Sequence, residues 1–212
     1  SSKWWDLGRK RGGLYLLPPA VTGESWWYKG TADALYQNLS FLRNSREQYV
    51  VIASGDGVYK IDYNDVVDFH VLKGADITVV CTEYTGDDIT GFGILNLDED
   101  ARIVGFEEKP LVTKSNIIST GIYILRRRLL IQLLEQCRAE DRTDFVRDVL
   151  IRYKDVKKIY GYKMNRYWSN MASVESYYRT NMDFLKPEVR DYFFRQYPAI
   201  YSKKDDNPPA KF

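Results

Sequence analysis

With 212 residues, 44% of them apolar and 28% charged, the chain can bury a sizeable core and reads as one globular, soluble domain. Its 31 basic and 29 acidic residues are dispersed and leave a net charge of +2, so no long-range field favours nucleic acid or a membrane surface. Cys81 and Cys137 read as small core hydrophobes rather than a disulfide framework; with no signal peptide and no bilayer-length apolar run, a reducing cytoplasm is expected.

Ser1 to Ser25 hold Gly12-Gly13, Pro18-Pro19 and Gly23 around one apolar run, Leu14-Tyr15-Leu16-Leu17, which is predicted as a strand inside loop. A domain that starts in loop suggests a fragment. Gly30-Thr31-Ala32-Asp33-Ala34 then opens a helix in which Leu35, Leu39 and Leu42 keep helical spacing. Thr31 is either an ordinary N-cap or part of a small-residue first turn whose free N–H groups favour an anion or a base edge. Next, Tyr49-Val50-Val51-Ile52-Ala53-Ser54-Gly55-Asp56-Gly57 is a β-branched run ending in a small-residue turn. It predicts a buried parallel strand with Asp56 in the crevice beyond its carboxyl end. The helix that follows has Asp62 as cap, Gly74 as stop, and Tyr63, Val66, Val67 and His70 on one face.

Asp76 to Cys81 and Gly91 to Leu95 are predicted strands, Asp98-Glu99-Asp100 a turn, and Ala101 to Glu108 a further extended segment. The latter ends at Glu108-Lys109-Pro110, where the proline is expected to hold Lys109 extended. A lysine fixed beside a glutamate can hold a phosphate dianion while the carboxylate accepts sugar hydroxyls; a surface ion pair is the alternative. Ile117 to Leu125 is strand-like, and Gly121 within it suggests close passage of a backbone or ligand. Arg126 to Cys137, with Leu129, Leu130, Leu133 and Leu134 inward, and Asp144 to Tyr153 read as helices; Arg126-Arg127-Arg128 reads as a solvated face.

Lys157 to Met164 returns to strand, and Trp168 beyond it is either a stacking platform for a sugar ring or core. A helix with Val174, Tyr178, Met182 and Leu185 on one face follows. From Lys186 onward the chain reads as loop, so residues 1–185 are taken as a partial domain and 186–212 as a linker towards a further domain. Glu83 to Thr90 and Leu111 to Ser115, both polar, are candidate lids. The expected architecture is α/β: a mostly parallel, Rossmann-like sheet with helices on both faces and the ligand crevice at the strand ends.

His70 is the one histidine and lies mid-helix, so no Ser-His-Asp or Cys-His arrangement can be assembled, and no Cys/His cluster has zinc spacing. Carboxylates, a lysine and small-residue turns at strand ends remain. That set suits phosphoryl or nucleotidyl transfer, in which a substrate oxygen attacks phosphorus and the protein supplies positioning, Mg²⁺ and charge neutralisation.

Five motifs occur in order: Trp27-Tyr28-Lys29-Gly30-Thr31-Ala32-Asp33-Ala34, Ser54-Gly55-Asp56, Phe106-Glu107-Glu108-Lys109-Pro110, Ser119-Thr120-Gly121-Ile122-Tyr123 and Tyr167-Trp168-Ser169-Asn170. In that order and spacing the chain resembles sugar-1-phosphate nucleotidyltransferases, and among them bacterial ADP-glucose pyrophosphorylases (glucose-1-phosphate adenylyltransferases), over nearly its whole length. The resemblance implies a metal-linked, catalytic Asp56 with Lys109 beside it, and Gly30, Thr31 and Asp33 near the nucleotide. It also implies that Gly93, Glu108, Lys109, Ser119, Tyr123, Asp144, Phe145 and Trp168 surround glucose 1-phosphate. The implied reaction joins ATP and glucose 1-phosphate into ADP-glucose and pyrophosphate for glycogen synthesis, with Mg²⁺ as cofactor.

Three departures qualify this. Asn170 stands where catalytic members carry a second metal-binding aspartate, and an amide is a poor Mg²⁺ ligand, so binding of Mg²⁺ by this chain is doubtful. Gly57 replaces a larger residue, and Val146-Arg147 a Gly-Lys pair. The family's N-terminal phosphate loop and C-terminal left-handed β-helix lie outside these residues, so a fragment without its first strand is expected to expose an unpaired sheet edge. The pattern resembles the regulatory D-type subunit of the glycogen operon, which implies a catalytic partner in a hetero-oligomer. A competent adenylyltransferase using Asp56 alone, and a non-catalytic sugar-phosphate sensor, are the alternatives.

Overall fold

The computed structural model describes residues 15–19, 27–84, 86, 89–113 and 115–200. Its spine is a pair of strands, β3 (Ile77–Glu83) and β6 (Ile117–Arg126), rich in β-branched residues and largely buried. Side chains alternate across them. Ile77, Val79 and Cys81 of β3 join Tyr123 and Leu125 of β6 in one apolar cluster, while Val80 joins Ile122 and Ile124 in a second. Burial on both faces is why these strands read as near-continuous apolar runs.

The sheet is completed by β1 (Tyr49–Ala53), β4 (Gly93–Leu97), β5 (Ile103–Glu108) and β7 (Ile159–Lys163) in the order β5-β4-β6-β3-β7, with β1 also on β6. The expected α/β class holds, and β1, β3, β4 and β7 all run in one direction. Neighbour pairing is nonetheless mixed. β6 is inserted against same-direction strands, so its ladders with β1, β3 and β4 are antiparallel, while β3·β7 is parallel. The short link 98–102 likewise makes β4·β5 an antiparallel hairpin, since parallel neighbours need a crossover of about a dozen residues or more. Among the described residues β1 pairs with β6 alone. A separate ribbon pairs β2 (Gly57–Tyr59) with β8 (Trp168–Asn170).

Helices cover both faces. The larger cluster lies under α1 (Thr31–Gln37), α2 (Leu39–Asn44), α4 (Arg127–Ala139) and a π-helical turn, Val146–Ile151. From α4 the predicted face delivers Leu130, Leu133 and Leu134, joined by Cys137, to the interior. Full burial of Leu130 and Leu134 contributes about 1.5–3 kcal/mol each relative to exposure. α3 (Tyr63–Leu72) covers the smaller cluster through Val66. Its ends are as predicted: the Asp62 carboxylate accepts from Asn64 N–H at 2.9 Å, and Gly74 adopts a left-handed φ of 56° just past the end. Both cysteines are buried and free.

Several elements depart from the sequence reading. The helix opened by Gly30 breaks at Asn38, whose side-chain amide donates to Ala34 O and Tyr28 Oη. Its N-cap is Gly30 rather than Thr31, because Thr31 Oγ1 is taken by the distant Phe145 N–H at 2.9 Å. Residues 15–17, predicted as strand with Leu14, are coil, and Leu14 lies outside the described residues, as do parts of the segment 83–90. Residues 146–151 coil as a π-helix rather than an α-helix. The tract after Lys186 is not loop throughout: α6 (Pro187–Phe194) has proline in its first turn, where no N–H is missed, and buries Val189 and Phe193. Lys60 Nζ donates to the carbonyls of Tyr192, Phe193 and Gln196 and fastens the end of α6 to the ribbon. α5 (Val174–Asp183), secured by a Ser173/Ser176 capping box, buries Thr180 and leaves Val174, Tyr178 and Met182 exposed.

Candidate functional site

The crevice beyond β1 is shaped by a bulge in β6. The β3·β6 register steps from Val80↔Ile122 to Cys81↔Ser119, leaving Thr120 and Gly121 without opposite partners. Thr120 Oγ1 donates to Val80 O at 2.8 Å, and Ser54 N–H donates to Gly121 O at 2.9 Å. Gly121 has φ 75°, and a Cβ there would stand 2.9 Å from Ser54 Cβ. Glycine is thus required both by conformation and by space, which is the close backbone passage predicted for it.

Around the bulge opens a cavity of about 210 Å³ that brings Asp56, Gly93, Glu108, Lys109, Ser119, Tyr123, Trp168 and Asn170 together. Gly93 pairs with Glu108 across β4·β5, and a Cβ on it would lie 3.0 Å from Glu108 Oε2. Desolvation raises the Glu108 carboxyl pKa, Lys109 opposes this, and the Asp144 charge adds to it. The Tyr123 hydroxyl is pushed up to about 12, chiefly by burial, with Ser119 pulling it down and Glu108 and Asp144 pushing it up. Lys109 is not extended as expected. Its N–H donates to Phe92 O at 3.1 Å, extending the β4·β5 ladder, and its φ is 50°. A non-glycine residue held there costs about 1–3 kcal/mol, a strain that clusters at functional sites. Trp168 stands edge-on to Phe92 with centroids 5.6 Å apart, and its buried Nε1 has no partner among the described residues.

Asp56 and Asn170 meet at one end of the β2·β8 ribbon. Gly57 pairs with Asn170, and Met171 N–H donates to Asp56 O at 2.8 Å. Asp56 Oδ1 accepts from Ser54 Oγ. Among the described residues no group of three or more His, Cys, Asp or Glu could hold a metal ion. One carboxylate and one neutral amide are a weaker donor set for Mg²⁺ than two carboxylates would be.

Gly30, Thr31 and Asp33, expected near a nucleotide, do not line this cavity. A Cβ on Gly30 would stand 2.4 Å from Thr143 O, and that carbonyl accepts from the N–H groups of Ala32 and Asp33 at 2.8 and 3.3 Å. Those first-turn donors, expected to be free, are therefore occupied. The buried Asp33 carboxylate accepts from Lys29 N–H at 2.9 Å and Gln37 Nε2 at 2.8 Å. Asp144 and Phe145 lie behind the cavity: the Phe145 ring is 5.4 Å from Tyr123, and the charge of Asp144 is felt at Glu108 and Tyr123. Sequence reasoning missed Asp148, whose buried carboxylate accepts from the N–H groups of Thr143 and Asp144 at 3.2 and 3.0 Å and so sets that loop. It also missed the roles of Ser54 and Phe92; the small residue two before Asp56 was the available signal for the first.

A family model described as nucleotidyl transferase matches residues 17–187. The chain is 38% identical over 209 residues to a glucose-1-phosphate adenylyltransferase of Pseudothermotoga lettingae, covering 97% of this chain and 50% of that one. It is 41% identical over 213 residues to a protein of the same name from Bacillus cytotoxicus, at 97% and 56% coverage. A third, from Clostridium acetobutylicum, is 40% identical over 210 residues, at 97% and 55%. The chain thus spans about half the length of the curated relatives it matches. From the crevice beyond β1, the Glu108-Lys109 wall and this family-wide match, the chain belongs to the nucleotidyl transferase family.

Proposed function

We propose that the chain is the nucleotidyltransferase-type part of a glucose-1-phosphate adenylyltransferase subunit, regulatory or catalytically impaired, acting in glycogen synthesis with a catalytic partner subunit. The observation that carries this reading is the register Gly57↔Asn170, which sets an amide beside Asp56 at the end of the ribbon. The reaction joins glucose 1-phosphate to the adenylyl group of ATP: a phosphate oxygen of the sugar attacks the α-phosphorus and pyrophosphate leaves. On this reading Lys109 neutralises the sugar phosphate, Glu108 accepts hydrogen bonds from the sugar hydroxyls, and Ser119, Tyr123 and Trp168 complete the pocket wall. Mg²⁺, when bound in this family's reaction, offsets phosphate charge, and the donors here hold it weakly. The chain accordingly keeps its sugar-phosphate wall and works chiefly through the partner, in the cytoplasm.

The test is pyrophosphate release from ATP and glucose 1-phosphate with Mg²⁺ by the full-length subunit, alone and then mixed with the partner. Little release alone, an altered rate or affinity in the mixture, and a gain in Asn170→Asp are expected. Robust release by the unaltered subunit that Asp56→Asn abolishes would replace this reading with a competent enzyme.

A further inference from the structure

Asp148 is a buried carboxylate outside the cavity lining. It lies in the π-helical turn, is 2% exposed, and divides the work of its two oxygens. Oδ2 accepts from the N–H groups of Thr143 and Asp144, whereas Oδ1 faces two guanidiniums, with Arg142 Nη1 at 3.3 Å and Arg147 Nε at 3.4 Å. Burial pushes the carboxyl pKa up, but the Asp144 N–H, Arg147 and Arg142 outweigh it and hold the group below its ordinary value. The N–H of Asp148 in turn donates to Asp144 O at 3.0 Å. Both main-chain groups of Asp144 are thus bonded to Asp148.

The segment held in this way is a bridge. Towards α1, Thr143 O accepts from the N–H groups of Ala32 and Asp33, and Phe145 N–H donates to Thr31 Oγ1. Towards the cavity around Lys109, Val146 lines the wall and the Phe145 ring packs against Tyr123. The Asp144 charge adds to desolvation in raising the pKa of both Glu108 and Tyr123. Its side chain is fixed along the segment, Oδ1 accepting from Arg147 N–H at 2.7 Å. Without the Asp148 carboxylate two main-chain donors lose their acceptor, and the backbone has to shift to pair them again.

We propose that Asp148 is a positioning residue of the sugar-phosphate site. Its carboxylate fixes Thr143 and Asp144 between the first turn of α1 and the cavity wall, and so sets how closely the Asp144 charge and the Phe145 ring approach Glu108 and Tyr123. The assignment rests on the sugar-phosphate reading of that cavity. It ascribes the effect to the accepting oxygen, with the negative charge serving to keep that oxygen an acceptor.

Two measurements on the full-length protein test it: glucose 1-phosphate affinity by calorimetry, and the pH dependence of Glu108 modification by a carbodiimide with glycinamide, resolved by peptide mass spectrometry. Asp148→Ala is expected to weaken glucose 1-phosphate about tenfold and to move the Glu108 titration towards the ordinary carboxylate value, as the Asp144 charge draws away. Asp148→Asn keeps an oxygen for the two N–H groups and should restore affinity to within about threefold of the parent. Should the alanine variant not fold, Asp148→Glu takes its place: it keeps the charge, displaces the oxygens by one methylene, and should move both readouts in the same directions. Unchanged affinity with an unmoved Glu108 titration in a folded Ala or Glu variant would overturn the proposal, as would a loss in Asp148→Asn equal to theirs. A parent protein that does not take up glucose 1-phosphate would overturn the sugar-phosphate reading itself, and the Glu108 titration, which needs no ligand, would still decide whether Asp148 places Asp144.

Discussion

The wall formed by β4, β5 and β6 and the ribbon formed by β2 and β8 face one cavity but are furnished differently. On the wall, the charge of Lys109 lowers the Glu108 carboxyl pKa and that of Glu108 raises the Tyr123 hydroxyl, while at Gly93 and Gly121 neighbouring side chains occupy the space a Cβ would need. The ribbon offers Asp56, already bonded to Ser54, and a neutral Asn170. On the proposed reading the difference separates two tasks, recognition of a sugar phosphate on the wall and the holding of a metal ion at the ribbon. Recognising a phosphorylated sugar needs a fixed cation and hydrogen-bond acceptors, whereas holding a divalent ion needs converging negative charge.

Substitutions on the two sides sharpen this contrast. Lys109→Gln removes the wall's cation and is expected to weaken glucose 1-phosphate binding by about 10–100-fold in calorimetry, the worth of one charge-assisted bond. Asn170→Asp should leave that affinity within about twofold, since it acts on the ribbon. Comparable losses from both variants would erase the division. Gly121→Ala tests the bulge that joins the sides: with φ 75° and a Cβ pressed on Ser54, it should cost about 1–3 kcal/mol, read as a lower urea midpoint at unchanged slope.

The smallest effect lies outside both sides, in the packing beneath α3. His70 is buried, with Nδ1 2.8 Å from Thr78 Oγ1 and the Tyr49 ring edge-on at 5.4 Å. Desolvation lowers its pKa, the Arg126 charge adds to this, and Asp76 opposes it. The unfolded chain therefore binds the imidazole proton more readily than the folded one. The His70 contribution is complete above the unfolded value, about 6.5, and is lost as pH falls below it towards the lower folded value. Thermal melts between about pH 7.5 and 5.5 should show this decline in the parent and a flatter slope in His70→Asn. Equal slopes would mean that the imidazole charges without cost in place.

What the sequence disclosed follows the reach of each interaction. The Asp62 cap and the Gly74 stop were legible because their chemistry is completed within a turn of the chain. The Thr31 cap was misread because Phe145, far away in sequence, claims its hydroxyl. At Lys109 the local rule set by Pro110 lost to a ladder hydrogen bond with Phe92. Helix α6 was hidden behind the prolines and tyrosines of its tract; it is held by the carbonyl contacts of Lys60, which no periodicity announces. Asp56, Gly93, Glu108, Lys109, Ser119, Tyr123 and Trp168, singled out from the sequence, line one cavity. Gly30, Thr31 and Asp33 were foreseen beside a nucleotide, yet their polar groups are turned to Thr143, Phe145, Lys29 and Gln37. The cleft lined by Arg46, Arg126, Arg127 and Arg128 was invisible because it is assembled from segments that meet only after folding.

The pairing of Gly57 with Asn170 also bears on the history of such a chain. Its backbone ladder does not depend on which atom ends the Asn170 side chain, and asparagine and aspartate codons differ by a single first-position transition. A lineage could therefore cross between the two chemistries in one mutational step without rebuilding the ribbon, and a gene duplicate carrying the amide would keep its scaffold ready for reversion.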